Sequence, residues 1–272
     1  MGLFSSTEKP NYDDVSNLKE RFPTLSENEL KRFKRAFVKS KDKEDTCIQK
    51  LEHLIQFKEL YGLNNLESFS TTDTDADVWK WAQKTAIDAA GTKDILIPGM
   101  QGCVAKEKRI CKSTDISQPV HCYHNDDGSL MTTTTAAGSL PVLQHMSGML
   151  DMTIMSEEIQ ILALALYLFR TLPKICKDDS TQIFFIIDTR KGTGWKNGSV
   201  FEVRKFLQML SHMLHDFIPY RMNKMIIFPV PKAAMYAFTM LKAYVVVFLL
   251  NFCFVRIHSN PQNTLFFFPA FF

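Results

Sequence analysis

The chain has 272 residues, of which 46% are hydrophobic and six are cysteine, and its formal net charge is +3. This length suffices for one large domain, or for a small helical region followed by a larger α/β domain. The charge is too weak to indicate a nucleic-acid partner, and irregularly spaced cysteines without a recognisable signal sequence argue against a disulfide framework and favour reduced thiols in the cytoplasm.

The first six residues, Met1-Gly-Leu-Phe-Ser-Ser6, fit the pattern for N-myristoylation, which makes Gly2 a candidate lipidation site. One myristoyl chain binds a membrane only marginally, so a second membrane signal would be needed. The alternative is a chance match of a permissive motif. Residues 1–25 are interpreted as a flexible N-terminus, with a polar loop from 10 onwards.

A helical region is predicted over residues 26–92. Its first helix begins at a capping box, Ser26-Glu-Asn-Glu29, in which the two side chains each bond to the other residue's backbone N–H. A second helix runs from Glu44 to Tyr61 and ends at Gly62, and a third runs from about Asp75 to Ala90.

The first helix of this region is basic around an apolar stripe. Its cationic residues are Lys31, Arg32, Lys34, Arg35 and Lys39. Such a surface is either an ordinary solvated helix face or the second signal for peripheral membrane binding.

Four residues between 93 and 124 are candidate zinc ligands: Cys103, Cys111, His121 and His124. Zinc sites usually contain closely spaced ligand pairs, and these two cysteines are too far apart to form one. If this segment is a strand, the two histidines point to opposite faces. The sequence therefore predicts no metal site here.

The segment Asn125-Asp-Asp-Gly128 places its glycine as a calcium-binding EF-hand loop does. However, Tyr123 and Thr134 would then occupy the first and twelfth ligand positions, where carboxylates are required. We therefore predict a turn, followed by a β-strand within Leu130–Thr135.

The segment from Ser156 to Leu172 is apolar around most of its helical circumference. It is short for a membrane-spanning helix and has charged residues at both ends, so it is interpreted as a helix buried inside the fold.

Residues 181–242 alternate between strand and helix patterns. Thr181–Asp188 and Lys224–Pro229 are apolar runs typical of neighbouring parallel strands. A capping box at Ser199–Glu202 opens the helix between them, and Lys232–Lys242 forms a further helix. The predicted class is α/β, with a mostly parallel sheet flanked by helices.

The loop Gly192-Thr-Gly-Trp-Lys-Asn-Gly198 lies where a dinucleotide-binding turn would be. Three residues separate it from the strand, and its Gly-x-Gly-x3-Gly spacing differs from the dinucleotide fingerprint. Asp188 is interpreted as a structural carboxylate at the strand end. A nucleotide-dependent enzyme nevertheless stays open as an alternative.

Residues 218–231, Ile-Pro-Tyr-Arg-Met-Asn-Lys-Met-Ile-Ile-Phe-Pro-Val-Pro, resemble a segment of CRAL-TRIO lipid-binding domains. In that family a proline, an arginine and a lysine precede a strand that ends at another proline. The agreeing positions are Pro219, Arg221, Lys224, Pro231, Ala237, Phe238 and Lys242. Phe185-Ile-Ile-Asp188 and Gln118-Pro-Val-His121 are similar to two other strands of the family.

The resemblance implies a CRAL-TRIO-like fold that binds a hydrophobic lipid such as a phospholipid, and transfers it between membranes, without enzymatic activity, cofactor or metal. It places Phe238 in the helix that gates the lipid pocket and Lys242 at the headgroup phosphate, as in phosphatidylinositol-transfer-like members. The family's companion glutamate falls near Met209, which leaves the headgroup open. Phe206 and Met209 complete the predicted ligand-binding set.

The resemblance implies a lipid-binding domain over residues 93–245 and no recognisable closing strand in the atypical apolar tail, residues 246–272. We expect this tail to pack poorly and not to replace the missing strand. A third alternative for function is a module whose basic helix and apolar tail dock on membranes.

Overall fold

The computed structural model describes residues 11–38, 44–64, 73–92, 111–112, 118–135, 138–146, 149–176, 181–188, 204–228 and 266–269. The N-terminal part of this described chain is helical. Its helices are α1 (Ser16–Arg21), α2 (Glu27–Phe37), α3 (Glu44–Leu60) and α4 (Asp75–Ala90).

The second part combines a sheet with two long helices, α5 (Glu157–Ile175) and α6 (Arg204–Phe217). The strands are β1 (Val120–Cys122), β2 (Thr132–Thr135), β3 (Gly138–Met146), β4 (Ile183–Asp188), β5 (Met222–Phe228) and β6 (Phe266–Pro269). The sheet order is β1-β3-β4-β5-β6, with β2 also paired to β3.

The centre of the sheet is parallel, because β4 runs parallel to both β3 and β5, whereas β1, β2 and β6 are antiparallel to their neighbours. The helices α5 and α6 make the crossovers between successive parallel strands, as expected when such strands need long connections. The predicted α/β class, with a largely parallel sheet flanked by helices, is confirmed at this level.

The prediction of a loop in the N-terminal residues is wrong for Ser16–Arg21, which form helix α1. Val15, Leu18 and Phe22 are 6%, 3% and 5% exposed, and their spacing of three and four residues puts them on one side of a helix. Burial of this apolar stripe stabilises a short helix in a segment whose polar composition suggests a loop.

The beginning of α2 shows half of the predicted capping box. Ser26 Oγ accepts a hydrogen bond from the backbone N–H of Glu29 at 3.1 Å. The carboxylate of Glu29 instead accepts two bonds from Lys58 Nζ, at 2.8 and 3.0 Å. A contact between α2 and α3 therefore replaces the local one.

The turn at Asn125–Gly128 is confirmed: Gly128 has a φ of 80°, and its N–H donates to the Asn125 carbonyl. The strand predicted within Leu130–Thr135 is confirmed as β2. A second strand, β3, follows it and was not predicted from the sequence. Pro141 lies in the middle of β3, and proline within an apolar run ordinarily argues against a central strand.

Helix α5 is buried along most of its length, which confirms its interpretation as an internal helix. No helix in the part of the chain that the structure describes is long and apolar enough to cross a membrane.

The expectation for the tail is corrected at one point. Phe266–Pro269 forms β6, which pairs antiparallel with β5, with Phe267 in register with Ile226. The free edge of β5 offers unpaired N–H and C=O groups, and an extended apolar segment can satisfy them without a family-like sequence. The capping box at 199–202 and the predicted helix at 232–242 lie outside the described residues.

Candidate functional site

The two faces of the sheet differ in how completely they are covered. Register places Cys122, Leu143 and Phe185 on one face, and His121, Gln144 and Ile186 on the other. On the first face these side chains are 9%, 0% and 0% exposed. This covered face packs against α5 and α6.

The predicted ligand residues Phe206 and Met209 lie on the covered side. They are 1% and 3% exposed, and they share the buried side of α6. The Phe206 ring stacks on the His145 ring of β3, with centroids 6.0 Å apart. The other predicted site residues, Lys242, Phe238 and the lipidation site Gly2, lie outside the described residues.

His145 is a buried polar group within this aromatic stack. Its side chain also lies beside Phe185, at 6.4 Å between ring centroids. Burial, and secondarily the nearby His121, lowers the pKa of His145 to about 4. His145 is therefore neutral at physiological pH, which suits a ring packed between apolar neighbours.

The second face carries half-buried side chains. Phe184, Ile186 and Gln144 are half-buried, whereas Ile226 in register with Ile186 is 9% exposed and Val142 in register with Phe184 is 2% exposed. The three half-buried residues Phe184, Ile186 and Gln144 form what we call the open face of the sheet. It is an apolar strip with one polar end.

Asp188 closes this strip at the carboxyl end of β4. Its Oδ2 accepts a hydrogen bond from Gln144 Nε2 at 2.9 Å, and the residue is 5% exposed. Ligands of α/β sheets commonly bind beyond the carboxyl ends of the strands. The bond to Gln144 agrees with the structural role predicted for Asp188; the glycine loop at 192–198 lies outside the described residues.

A second polar cluster surrounds Asp75 in the first turn of α4. Its carboxylate accepts hydrogen bonds from Tyr167 Oη, from Gln118 Nε2 at 2.9 Å and from the Cys122 N–H at 3.3 Å. The sequence did not reveal this cluster, because its members lie on α4, on α5, and on β1 and the residues just before it. One local sign was available, since Thr74 and Asp77 form a reciprocal capping box that fixes the start of α4.

The Asp75 cluster does not provide a nucleophile. Burial, followed by the negative charge of Asp75, raises the pKa of the Cys122 thiol to about 12. Burial likewise raises the pKa of Tyr167 far above its ordinary value. Both groups are protonated at neutral pH, so their chemistry is that of hydrogen-bonded links between elements.

The candidate zinc ligands do not converge in the structure as far as it is described. Cys111 is exposed, His121 lies in β1, His124 lies beyond its end, and Cys103 is outside the described residues. Among the described side chains, no three or more histidine, cysteine or acidic residues are grouped to hold a metal ion.

Comparison with known proteins adds no family assignment. No protein-family model matches the chain, and no curated protein sequence matches it.

Proposed function

We propose that this chain is a non-enzymatic lipid-binding protein of the CRAL-TRIO type, and that it exchanges its ligand with membranes. The observation that carries the proposal is the unequal covering of the sheet, which leaves Phe184 and Ile186 half-buried on the open face. The segment 218–231, which resembles the family's proline-arginine-lysine pattern, runs into β5 beside this face.

A hydrophobic ligand is the natural complement of such a surface. Removing apolar surface from water contributes about 25 cal/mol per Å², so an acyl chain lying on Phe184 and Ile186 would stabilise the complex without specific polar contacts. Ligand sites of this kind are mostly apolar, with few polar groups that fix orientation. Gln144 and Asp188 supply polar groups at one end of the strip.

The proposal assigns roles to the two family-like positions that lie outside the described residues. Phe238 contributes to the gate over the ligand, and Lys242 binds the headgroup phosphate of an anionic lipid. Phe206 and Met209 lie on the covered face, where they hold α6 and the His145 ring in place and do not contact the ligand directly. That assignment differs from the direct contact expected from sequence.

Peripheral binding to a membrane surface is part of the proposal, with Gly2 as the acylated residue. The basic residues of α2 contribute less than the sequence suggests. Arg32 is 8% exposed, Arg35 pairs with Asp13 at 2.9 Å, and Lys34 donates to the Asp14 carbonyl. The expectation that Arg32 lies on a solvated helix face is therefore wrong.

Native mass spectrometry of protein purified from cells tests the proposal. We expect a bound lipid in stoichiometric amount, and uptake of labelled phospholipid from vesicles. Replacing Ile186 by Asn should reduce uptake by about tenfold or more, because it places an amide within the apolar strip. The matched control is Leu60→Asn, which makes a similar change at a side chain that is 58% exposed and lies away from the sheet.

Two results would refute the proposal. One is a protein that carries no lipid and takes none from vesicles. The other is equal uptake by wild type and Ile186→Asn, provided that circular dichroism shows both to be folded. A co-purified nucleotide would favour the enzyme alternative instead.

A further inference from the structure

A row of polar side chains crosses the sheet at the polar end of the open face. Register pairs His121 of β1 with Gln144 of β3, so these two side chains lie next to each other on that face. Gln144 in turn bonds to Asp188 at the carboxyl end of β4. We call these three residues the polar row: His121, Gln144 and Asp188.

Two members of the polar row can be reached from the open face. The His121 side chain is 36% exposed and Gln144 is half-buried, whereas Asp188 is only 5% exposed. A ligand that lies along Phe184 and Ile186 would therefore meet Gln144 and His121 at the end of the apolar strip.

Gln144 presents a hydrogen-bond acceptor to such a ligand. Its Nε2 donates to Asp188 Oδ2 at 2.9 Å, which fixes the orientation of the amide, because a carboxylate can only accept. The other end of the amide is Oε1, which accepts hydrogen bonds and cannot donate them.

His121 presents a second acceptor beside the first. Its Nδ1 lies 3.9 Å from Asp75 Oδ2, and Asp75 is held in place by Tyr167 and by the backbone N–H of Cys122. The negative charge of Asp75 favours the tautomer of the neutral ring that has its proton on Nδ1. In that tautomer Nε2 is an acceptor.

A row of acceptors distinguishes between kinds of ligand group. Phosphate and ester oxygens also accept, so placing them against Gln144 Oε1 would remove both partners from water without forming a hydrogen bond, which is unfavourable. A hydroxyl or a primary ammonium group can donate to these acceptors instead.

We propose that the polar row selects lipids whose headgroup donates hydrogen bonds, through either an O–H group or an ammonium N–H group. This selectivity rests on the proposed lipid-binding function and identifies the ligand chemistry at one end of the open face. Headgroups in which the donor is replaced by methyl groups, at the same charge, are bound less well.

Two pairs of lipids with identical acyl chains test the selectivity. Phosphatidylethanolamine and phosphatidylcholine are both zwitterionic, but only the first has N–H donors. Phosphatidylglycerol and phosphatidylmethanol are both anionic, but only the first has hydroxyl groups. Native mass spectrometry after incubation with vesicles that contain equal amounts of both members of a pair gives the uptake ratio.

We expect wild-type protein to prefer the donor-bearing member of at least one pair by about threefold to tenfold, the effect of one net hydrogen bond. Preference within the first pair alone assigns the site to ammonium headgroups, and preference within the second pair alone assigns it to hydroxyl headgroups. Preference within both pairs assigns it to donors of either kind.

Three variants locate the preference. Gln144→Met and His121→Phe each remove an acceptor and keep much of the side-chain volume, so they should bring the uptake ratio close to one while uptake of the methylated lipids is retained. The matched control is His124→Phe, the same replacement at an exposed histidine beyond the end of β1. It should keep the wild-type ratio.

The results separate this selectivity from lipid binding itself. If wild-type protein takes up no lipid, the proposed function is wrong and the selectivity falls with it. Uptake of lipid with a ratio close to one in both pairs overturns the selectivity alone, and this result needs no variant to be folded. A wild-type ratio in both Gln144→Met and His121→Phe, folded by circular dichroism, also overturns it.

Discussion

Buried and half-buried polar side chains in this chain connect elements that are far apart in sequence. Asp75 joins α4 to α5 and β1, and Asp216 accepts a bond from Lys50 of α3 at 2.7 Å. Burial alone would raise the pKa of Asp216, but hydrogen bonds to His215 and Lys50 together hold that pKa below its ordinary value. Such a carboxylate without partners would be strongly destabilising, so these contacts restrict how the helices can sit on the sheet.

His145 makes folding sensitive to acid. Its pKa is about 4 in the folded chain and about 6.5 when unfolded, so the unfolded state binds more protons between these values. The contribution of His145 to the free energy of unfolding is complete above about pH 6.5. It falls by up to about 3 kcal/mol as the pH is lowered towards 4. Urea unfolding at neutral pH and at about pH 4.5 measures this loss.

The control for this prediction is His145→Gln, which has no titrating ring. Burial also lowers the pKa of His53, and carboxylates such as Asp216 titrate in acid, so wild type and variant will share part of the decline. The difference between the two pH profiles isolates His145. Parallel profiles would mean that His145 does not bind a proton more weakly in the folded state.

At the scale of elements, helix ends are specified in two different ways. The start of α4 is local, because Thr74 and Asp77 bond reciprocally. The start of α2 is stabilised partly by a local contact and partly by a neighbouring helix, since Ser26 caps α2 while Glu29 pairs with Lys58 of α3. A local cap can be recognised in the sequence, whereas a shared one depends on which helix lies alongside.

The end of α3 depends on one glycine. Gly62 has a φ of 64°, and the following Leu63 N–H bonds to the Lys58 carbonyl at 2.7 Å. A Cβ at Gly62 would meet nothing within 4 Å, so substitution tests the backbone alone. Gly62→Ala should lower the free energy of unfolding by about 1 kcal/mol, because alanine is strained at positive φ.

Gly62→Asn is the matched variant, since asparagine tolerates this conformation better than other residues with a side chain. Chemical denaturation should rank wild type above Gly62→Asn and Gly62→Ala lowest. Equal stability of all three would show that the turn can relax to negative φ without cost.

At the scale of the whole molecule, the sheet is built outward from β4. Apolar side chains of β4 lie on both faces, with β3 and β5 parallel on either side and antiparallel strands beyond them. Phe57 of α3, Phe169 of α5 and Phe217 of α6 form an aromatic cluster, with Phe57 and Phe217 at 5.0 Å between ring centroids. This cluster joins the N-terminal helices to the α/β part, so the chain has a continuous core.

The pairing of β6 with β5 predicts that the C-terminal residues stabilise the sheet, whereas the sequence predicted a poorly packed tail. Deleting residues 266–272 should expose the edge of β5, lower Tm and increase self-association, because an unpaired edge strand can bind another chain. Thermal unfolding and size-exclusion chromatography at several concentrations measure both effects. Unchanged Tm with better solubility would restore the view that the tail packs poorly.

The sequence by itself determined the elements whose signals are local. Apolar runs specify β4 and β5, the apolar circumference of α5 indicates a buried helix, and the glycines at 62 and 128 mark turns. Each signal lies within a few residues of the structure it produces, because hydrogen bonds of caps, turns and helices join near neighbours.

Only the tertiary structure decided what depends on distant partners. Strand β3 forms around Pro141 because β1, β2 and β4 pair with it, and α1 forms because its apolar stripe is covered. The side of the sheet on which Phe206 packs follows from the path of the whole chain. No local pattern encodes these contacts, since their free energy is gained only when residues far apart in sequence are brought together.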